Sequence, residues 1–405
     1  MTARTDHQRD RADRCPGVLA LHEAADGWLA RVRVPGGRLS AQALLTLAAL
    51  AEEHGNGLVD LTSRANLQLR GLAADVGAAL APRLEAVGLL PSAAHDRVRN
   101  VLASPIAGRA PDALDDVDDI VGLLDRRVMS SHRLRDLPGR FCFLVDDGSG
   151  AGRELGPDVT IVARGGGRFG VSLDGRPIEL EADGDTAVTV AVAAAEAFVA
   201  LRGDAWRLSE TPGGAAKVAA TLGLGLAHVT RASRTPNLGP GVVEQRDGRM
   251  ALTALAPLGQ LWPSLLRALA AVSDDVRLSA RRTVTLVDLE PEAVDATRDA
   301  LARAELVLDG SSGWVGLTAC AGTAGCPRAL GDVRAAATRR AQVRSASDPP
   351  EHWAACERRC GEVQGTPVTV AVRGAGDVEL LSDARTSYVS SLHRAADQLL
   401  AEAAR

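Results

Sequence analysis

The segment VDLTSRANLQLRGL, Val59 to Leu72, aligns without a gap on VRLSARRTVTLVDL, Val276 to Leu289. The alignment sets Leu61 on Leu278, Arg64 on Arg281, Leu69 on Leu286 and Leu72 on Leu289. In both segments apolar residues alternate in two short bursts, the period of a strand pair. The flanks repeat too. Ahead lie a strand with a tight turn (GWLARVRVPGG; RMALTALAPLGQL) and an apolar-spaced helix (SAQALLTLAALAEEH, with Ser40 as N-cap; WPSLLRALAAV). Behind lies a second helix (AADVGAALAPRLEAVGLL; EPEAVDATRDALARAELVL). A chain that writes strand–helix–strand–strand–helix twice is an internal duplication, and its fold has to place two copies of one unit.

Each unit is followed by a longer stretch of mixed character. In the first half FCFLVDDG, DVTIVARGG and RFGVSLDG read as strands and TAVTVAVAAAEAFVALRG as a helix. In the second, PVTVAVRG and DVELL read as strands, between helices near Ala329–Arg344 and Tyr388–Ala404. Gly/Pro-rich RTPNLGPGV, Arg234 to Val242, is the expected hinge between the halves. The net charge of -5 gives no general case for nucleic acid or acidic membranes. No apolar run approaches the ~20 residues of a membrane span. The polar start, MTARTDHQRDRADRC, lacks a signal-peptide core, so a cytoplasmic setting is expected. With a single lysine, Lys217, arginine carries almost all the positive charge.

Four of the six cysteines cluster as C-x5-C and C-x3-C: Cys320, Cys326, Cys356 and Cys360. In a reducing compartment such thiols bind metal or do redox chemistry more often than they pair. C-x5-C fits the short pairs of structural zinc poorly, whereas a [4Fe-4S] cluster accepts four thiolates from separated loops. The glycines of C-A-G-T-A-G-C suit a backbone that wraps a cluster. A cluster is favoured on these grounds, with zinc and unrelated reduced thiols as the alternatives. Cys15 and Cys142 read as small buried apolar residues, and His352 as a neighbour of the cysteine loop or a simple loop histidine.

C-x5-C followed by C-x3-C resembles the cluster signature of the nitrite/sulfite reductase superfamily. So do LTSRANLQLRG (T-x-R-x-x-x-Q-x-R-G), VRNVLASPIAG (R-N, then P-x-x-G) and LPGRF, in the same order along the chain. The resemblance implies an α+β fold: duplicated ferredoxin-like half-domains paired by pseudo-two-fold symmetry, plus two mixed α/β domains of nitrite/sulfite reductase type. The expected limits are 15–92 and 243–310 for the half-domains, 93–225 for the first α/β domain and 311–405 for the cluster-binding one.

Within the superfamily, RCPGVLALHEAADGWLARVRVPGG and HWAACERRCG resemble segments of the precorrin-3B synthases. Where sulfite reductases carry a second lysine after L-P-x-K-F, this chain has Cys142. The implied activity is a monooxygenase of aerobic cobalamin biosynthesis, hydroxylating precorrin-3A at C20 with O2 and forming a γ-lactone. The implied cofactors are a [4Fe-4S] cluster, held by Cys320, Cys326, Cys356 and Cys360, and a non-haem iron whose ligands no motif identifies. Electrons derived from NADH would arrive from an external donor, because no G-x-G-x-x-G opens a βα unit. Arg64, Arg99 and Arg140 fall on the superfamily's anion and tetrapyrrole positions and are assigned to the substrate, with Gln68 and Arg70 as second choices; Arg281 is expected to be structural. Arginine forks suit such a substrate because they bind carboxylates bidentately. The rival reading is a siroheme-dependent sulfite or nitrite reductase; a third is a cluster-bearing protein without turnover.

Overall fold

The structure, a computed structural model, describes residue 13 and residues 15–227, 239–363, 365–382 and 385–403. Most of the expected hinge, 234–238, lies outside them. The first repeat runs β1 (His22–Ala24), β2 (Gly27–Val32), β3 (Arg38–Leu39), α1 (Ala41–His54), β4 (Val59–Leu61), β5 (Leu67–Leu72) and α2 (Gly77–Ala86). It is followed by β6 (Val101–Ala103), α3 (Asp118–Ser130), β7 (Phe143–Asp146), β8 (Val159–Gly165), β9 (Arg168–Leu173), β10 (Arg176–Pro177), α4 (Gly184–Leu201) and α5 (Gly214–Thr221). The second repeat is β11 (Gly241–Glu244), β12 (Met250–Leu255), β13 (Gln260–Leu261), α6 (Pro263–Val272), β14 (Val276–Leu278), β15 (Thr283–Leu289) and α7 (Val294–Arg303). The chain closes with β16 (Leu317–Ala319), α8 (Val333–Ala341), β17 (Glu351–Ala354), β18 (Val368–Gly374), β19 (Asp377–Ser382), β20 (Arg385–Val389) and α9 (Leu392–Ala403).

The duplicated units are ferredoxin-like half-domains, and they exchange strands. The first sheet has the order β1-β2-β5-β4-β13 and the second β11-β12-β15-β14-β3, so each takes its edge strand from the other half. Leu261 pairs with Val59, and Leu39 pairs with Val276. The two contacts are each other's counterparts under exchange of the halves, which is what pseudo-two-fold symmetry requires. Helix α1 starts where Ser40 caps it, the hydroxyl accepting from the Ala43 amide at 3.2 Å. Leu44, Leu47 and Leu50 of α1 share one core with Leu265, Leu266 and Leu269 of α6, all essentially inaccessible to solvent. At about 1.5–3 kcal/mol for each buried leucine, this seam is a principal attraction between the halves.

The exchange depends on two equivalent glycines. Gly37 has φ +72° and Gly259 φ +76°. A Cβ on Gly37 would lie 2.2 Å from the Leu278 carbonyl oxygen, and one on Gly259 2.5 Å from that of Leu61. Both the left-handed backbone and the close approach demand glycine. Gly37→Ala is expected to cost about 3 kcal/mol, read as a lowered urea midpoint; an unchanged midpoint would mean that β3 is not fixed to the second sheet.

The two α/β regions are duplicates as well. Each sheet has three parallel strands followed by antiparallel ones, in the orders β6-β7-β8-β9-β10 and β16-β17-β18-β19-β20. Equivalent registers put Val101 with Leu317, Phe143 with Glu351 and Val159 with Val368. The residue after β6 is Ser104, and after β16 it is Cys320; two residues past β7 stands Gly148, and two past β17 Cys356. In the first half those loops close on themselves: Asp146 accepts from the Gly148 and Gly150 amides, Asp147 from Gly108 and Ser149. The second half has thiols there instead.

Two sequence expectations change. The helix expected over Tyr388–Ala404 starts at Leu392, because Thr386, Tyr388 and Val389 pair with β19 as strand β20. Tyr388 and Val389 are strand formers, and the apolar period becomes helical only beyond Ser391. Helix α4 alone among the described helices has the length and hydropathy of a membrane span. Its Ala187, Ala191, Ala194 and Phe198 face is buried in the core of the first α/β region.

Candidate functional site

Five guanidiniums gather where the first half-domain meets the first α/β region. Arg31 lies in β2, one residue before the strand ends at Val32, Arg33 follows the strand, Arg64 sits in the turn between β4 and β5, Arg140 lies in the LPGRF turn and Arg207 beyond α4. Arg64 is held there by a turn in which the Thr62 hydroxyl accepts from the amides of Arg64 and Asn66, with Ala65 at φ +54°. Asn66 then bonds Asn100, and Asn100 donates to the carbonyls of Gly139 and Phe141, fixing the LPGRF turn beside it. Arg140 lies over the Trp206 ring, 5.0 Å from its centroid, a favourable cation–π placement.

The charges are poorly compensated. Among the described residues, only Arg207 of the five forms an ion pair, with Asp158 at 2.7 Å. Arg33 bonds the carbonyls of Arg97 and Pro16. Arg31 donates to the Gln68 amide oxygen, while its buried Nε has no partner among the described residues. Among the described residues, neither Arg64 nor Arg140 forms an ion pair. Burial pushes the Arg31 pKa down to about 10 and that of Arg33 to about 9, with neighbouring guanidiniums adding to the effect. Arg64 is shifted down by burial and by Arg207 and Arg140. Cationic side chains crowded together and, Arg140 excepted, partly or wholly withdrawn from water are stabilised by an anion.

Both remaining cysteines border this cluster. Cys142 is buried, as its sequence suggests, and burial lifts its pKa to about 11, so it is a neutral thiol. Cys15, half-buried against Gly139, is likewise shifted up by burial and by Asp13. Asp158 fixes the floor: it accepts from the Cys142 and Leu208 amides, and burial raises its pKa to about 6.

The four clustered cysteines occupy the loops after β16 and β17. Burial and the charges of Cys320, Cys356 and Cys326 raise the Cys360 pKa, which puts all four thiols in one electrostatic neighbourhood. Cys320 Sγ accepts from the Ala355 amide at 3.2 Å, the kind of contact that tunes a bound cluster. Among the described residues, no three His, Cys, Asp or Glu side chains are gathered as a single-ion site. His352, on β17, is fully buried, with Nδ1 2.9 Å from the Thr318 hydroxyl; burial and Arg282 lower its pKa to about 3, so it is neutral.

Strand β5 connects the two places. Gln68 and Arg70, two residues apart, share a face of the strand. Gln68 holds Arg31, whereas Arg70 bonds Asp26 through both its Nε and Nη2 and reaches the Gly325 carbonyl in the cysteine loop at 2.7 Å. Arg334 adds a second tie, from the Cys320 carbonyl to Asp60 of β4. Arg70 is thus an anchor of the cysteine loop.

Arg99, expected on the substrate, is placed elsewhere. Its fork closes on Asp125 at 2.8 and 2.7 Å, and Nη1 donates to the Leu89 carbonyl. Removing it leaves Asp125 mostly buried without its partner, at a cost of about 3 kcal/mol. Arg99→Ala is expected to lower the unfolding midpoint while leaving ligand affinity per folded molecule unchanged; weaker binding at full stability would return Arg99 to the site. Arg281 is half-exposed and bonds Glu154, as a structural residue should. Sequence reading missed Arg31, Arg33, Arg207 and Trp206. The R-V-R of the opening motif marked the first two, whereas nothing local marks Arg207.

Comparison with known proteins follows the same lines. The family model described as nitrite/sulfite reductase ferredoxin-like half domain matches residues 22–87 and 243–304. A precorrin-3B synthase of a Sinorhizobium species is 32% identical over 169 residues, 42% of this chain and 32% of that protein. The chloroplastic ferredoxin–nitrite reductase of Oryza sativa subsp. japonica is 24% identical over 384 residues, 83% of this chain and 64% of the reductase. This chain therefore spans less than two thirds of either relative. The structure of the Mycobacterium tuberculosis NirA protein superposes with a TM-score of 0.76 at 21% identity, over 92% of this chain and 79% of that one. At that identity the likeness is one of fold.

Proposed function

We propose that this chain, whose paired half-domains match the nitrite/sulfite reductase ferredoxin-like half-domain model and which shares the fold of the NirA structure, is a precorrin-3B synthase-like monooxygenase of aerobic cobalamin biosynthesis. The reaction is hydroxylation of precorrin-3A at C20 with O2 and closure of a γ-lactone. The observation that carries this reading is the cluster of guanidiniums, Arg31, Arg64 and Arg140, that form no ion pair among the described residues. A macrocycle edged with carboxylates supplies several anions at once, and each arginine can take one in a bidentate grip. Gln68 orients Arg31, Arg207 and Asp158 fix the floor, and the Trp206 ring offers an apolar face beside Arg140.

Cys320, Cys326, Cys356 and Cys360 are the residues that would hold a [4Fe-4S] cluster. Four thiols and a sulfur-directed amide suit that group. When bound, it supplies one-electron transfer. Electrons come from an external donor, as the ferredoxin in the name of the rice relative indicates for that enzyme.

A second reading, a siroheme-dependent nitrite or sulfite reductase, is favoured by one observation: the rice reductase matches 83% of this chain and the synthase 42%. Cys142 speaks against it, since a neutral thiol stands where the reductases' second lysine would meet an inorganic anion. Protein purified without air from a siroheme-making host separates the two. The synthase reading expects no stoichiometric tetrapyrrole band; a full band, with nitrite or sulfite turnover, would overturn it.

A further inference from the structure

One buried arginine of the second half, Arg282, has no arginine at its repeat position in the first. In the repeat alignment Arg282 stands where Ala65 does, and both have a left-handed backbone, φ +61° and +54°. A long side chain is uncommon in that conformation, so its presence asks for a compensating use. Arg282 is only 7% exposed. Its guanidinium makes no hydrogen bond or ion pair among the described residues, and Nε is orphaned.

Its surroundings point to the missing partner. Arg282 Nη2 lies 3.6 Å from where a Cβ on Gly361 would stand, and Gly361 follows Cys360. Gly361 has φ +89°, so the loop keeps that space open beside the guanidinium. The acid facing Arg282 is Asp60, which Arg334 already contacts at 3.1 Å and Arg70 at 3.8 Å. With Asp26 also on Arg70, three guanidiniums face two carboxylates here, and Arg358 adds a further positive charge beside Cys360.

We propose that Arg282 is the counter-charge of the four-thiolate centre and sets its reduction potential. The inference rests on the cluster reading above. A cluster on four thiolates is an anion that becomes more negative on accepting an electron. A buried cation beside it favours the reduced form, because net charge is one of the determinants of cluster potential. The first half has alanine at this position, and there the carboxylates of the equivalent loops are held by loop amides and, for Asp146, by Arg153.

The test is anaerobic redox titration of the holoprotein, following the visible and paramagnetic signals of the cluster, with iron and sulfide measured on every sample. Arg282→Met is expected to load iron fully and to titrate lower, with the reduced-to-oxidised ratio at fixed potential down at least tenfold, about 59 mV for one electron. Arg282→Lys should stay near the wild type, and Arg281→Met, on the neighbouring exposed residue, should not shift. Equal midpoints for wild type and Arg282→Met overturn the proposal while leaving the cluster reading standing. If Arg282→Met holds no iron, Arg282→Lys decides: recovered iron supports the charge, whereas an equally empty protein makes Arg282 a packing residue. Wild-type protein without iron and sulfide sinks the cluster reading, and this proposal with it.

Discussion

Cys356→Ser purified without air will have lost its cluster: most of about four irons and four sulfides per chain, and the visible absorbance that accompanies them. Serine offers no soft thiolate, and Cys356 leads the short loop whose Ala355 amide is already aimed at Cys320 Sγ. The second α/β region should still fold. Its core is Trp353, Val370, Val372 and Leu380, with α8 and α9 against them, and Trp353 is fully buried with its indole N–H on Glu351. The variant should therefore lose only the stabilisation that bound cluster confers on the folded state. One zinc per wild-type chain without labile sulfide would contradict the assignment.

Arg64→Ala is expected to weaken binding of a carboxylated tetrapyrrole by about a hundredfold, with cluster content unchanged. The lost interaction is a charge-assisted pair in a partly buried site, and two decades of affinity correspond to about 2.8 kcal/mol. Arg281→Ala is the internal control, because Arg281 occupies the same repeat position and bonds Glu154 near the surface. Equilibrium binding of the porphyrinoid without O2 reads both. Equal affinities for the wild type and both variants would remove the arginine cluster from the substrate site.

Much of the fold was legible because it is local and written twice. The gapless match of Val59–Leu72 to Val276–Leu289 marked the half-domains, and Leu61 and Leu278 are the buried ends of equivalent strands. Strand exchange was not legible: β3 and β13 are two residues long, and their partners are more than two hundred residues away. The duplication of the α/β regions was hidden for another reason. Their shared register survives while the loops after the first two strands have diverged, to aspartates in one half and cysteines in the other. The cysteine spacing pointed to a metal group directly. For arginines, type and motif place a charge in the chain but not its partner, so Arg64 and Arg99 read alike until Asp125 closes on one of them. Arg70 read as a substrate ligand because its tie to Gly325 spans 255 positions.

The most direct test of the proposed function is a single-turnover reaction of the reduced, cluster-loaded protein with precorrin-3A and ¹⁸O₂, followed by mass spectrometry of the tetrapyrrole. The expected result is a product with one labelled oxygen at C20 and a new γ-lactone, formed by the wild type and by Arg281→Ala but not by Arg64→Ala. Unlabelled, unchanged precorrin-3A from protein that carries a full cluster and reduces nitrite or sulfite instead would contradict it.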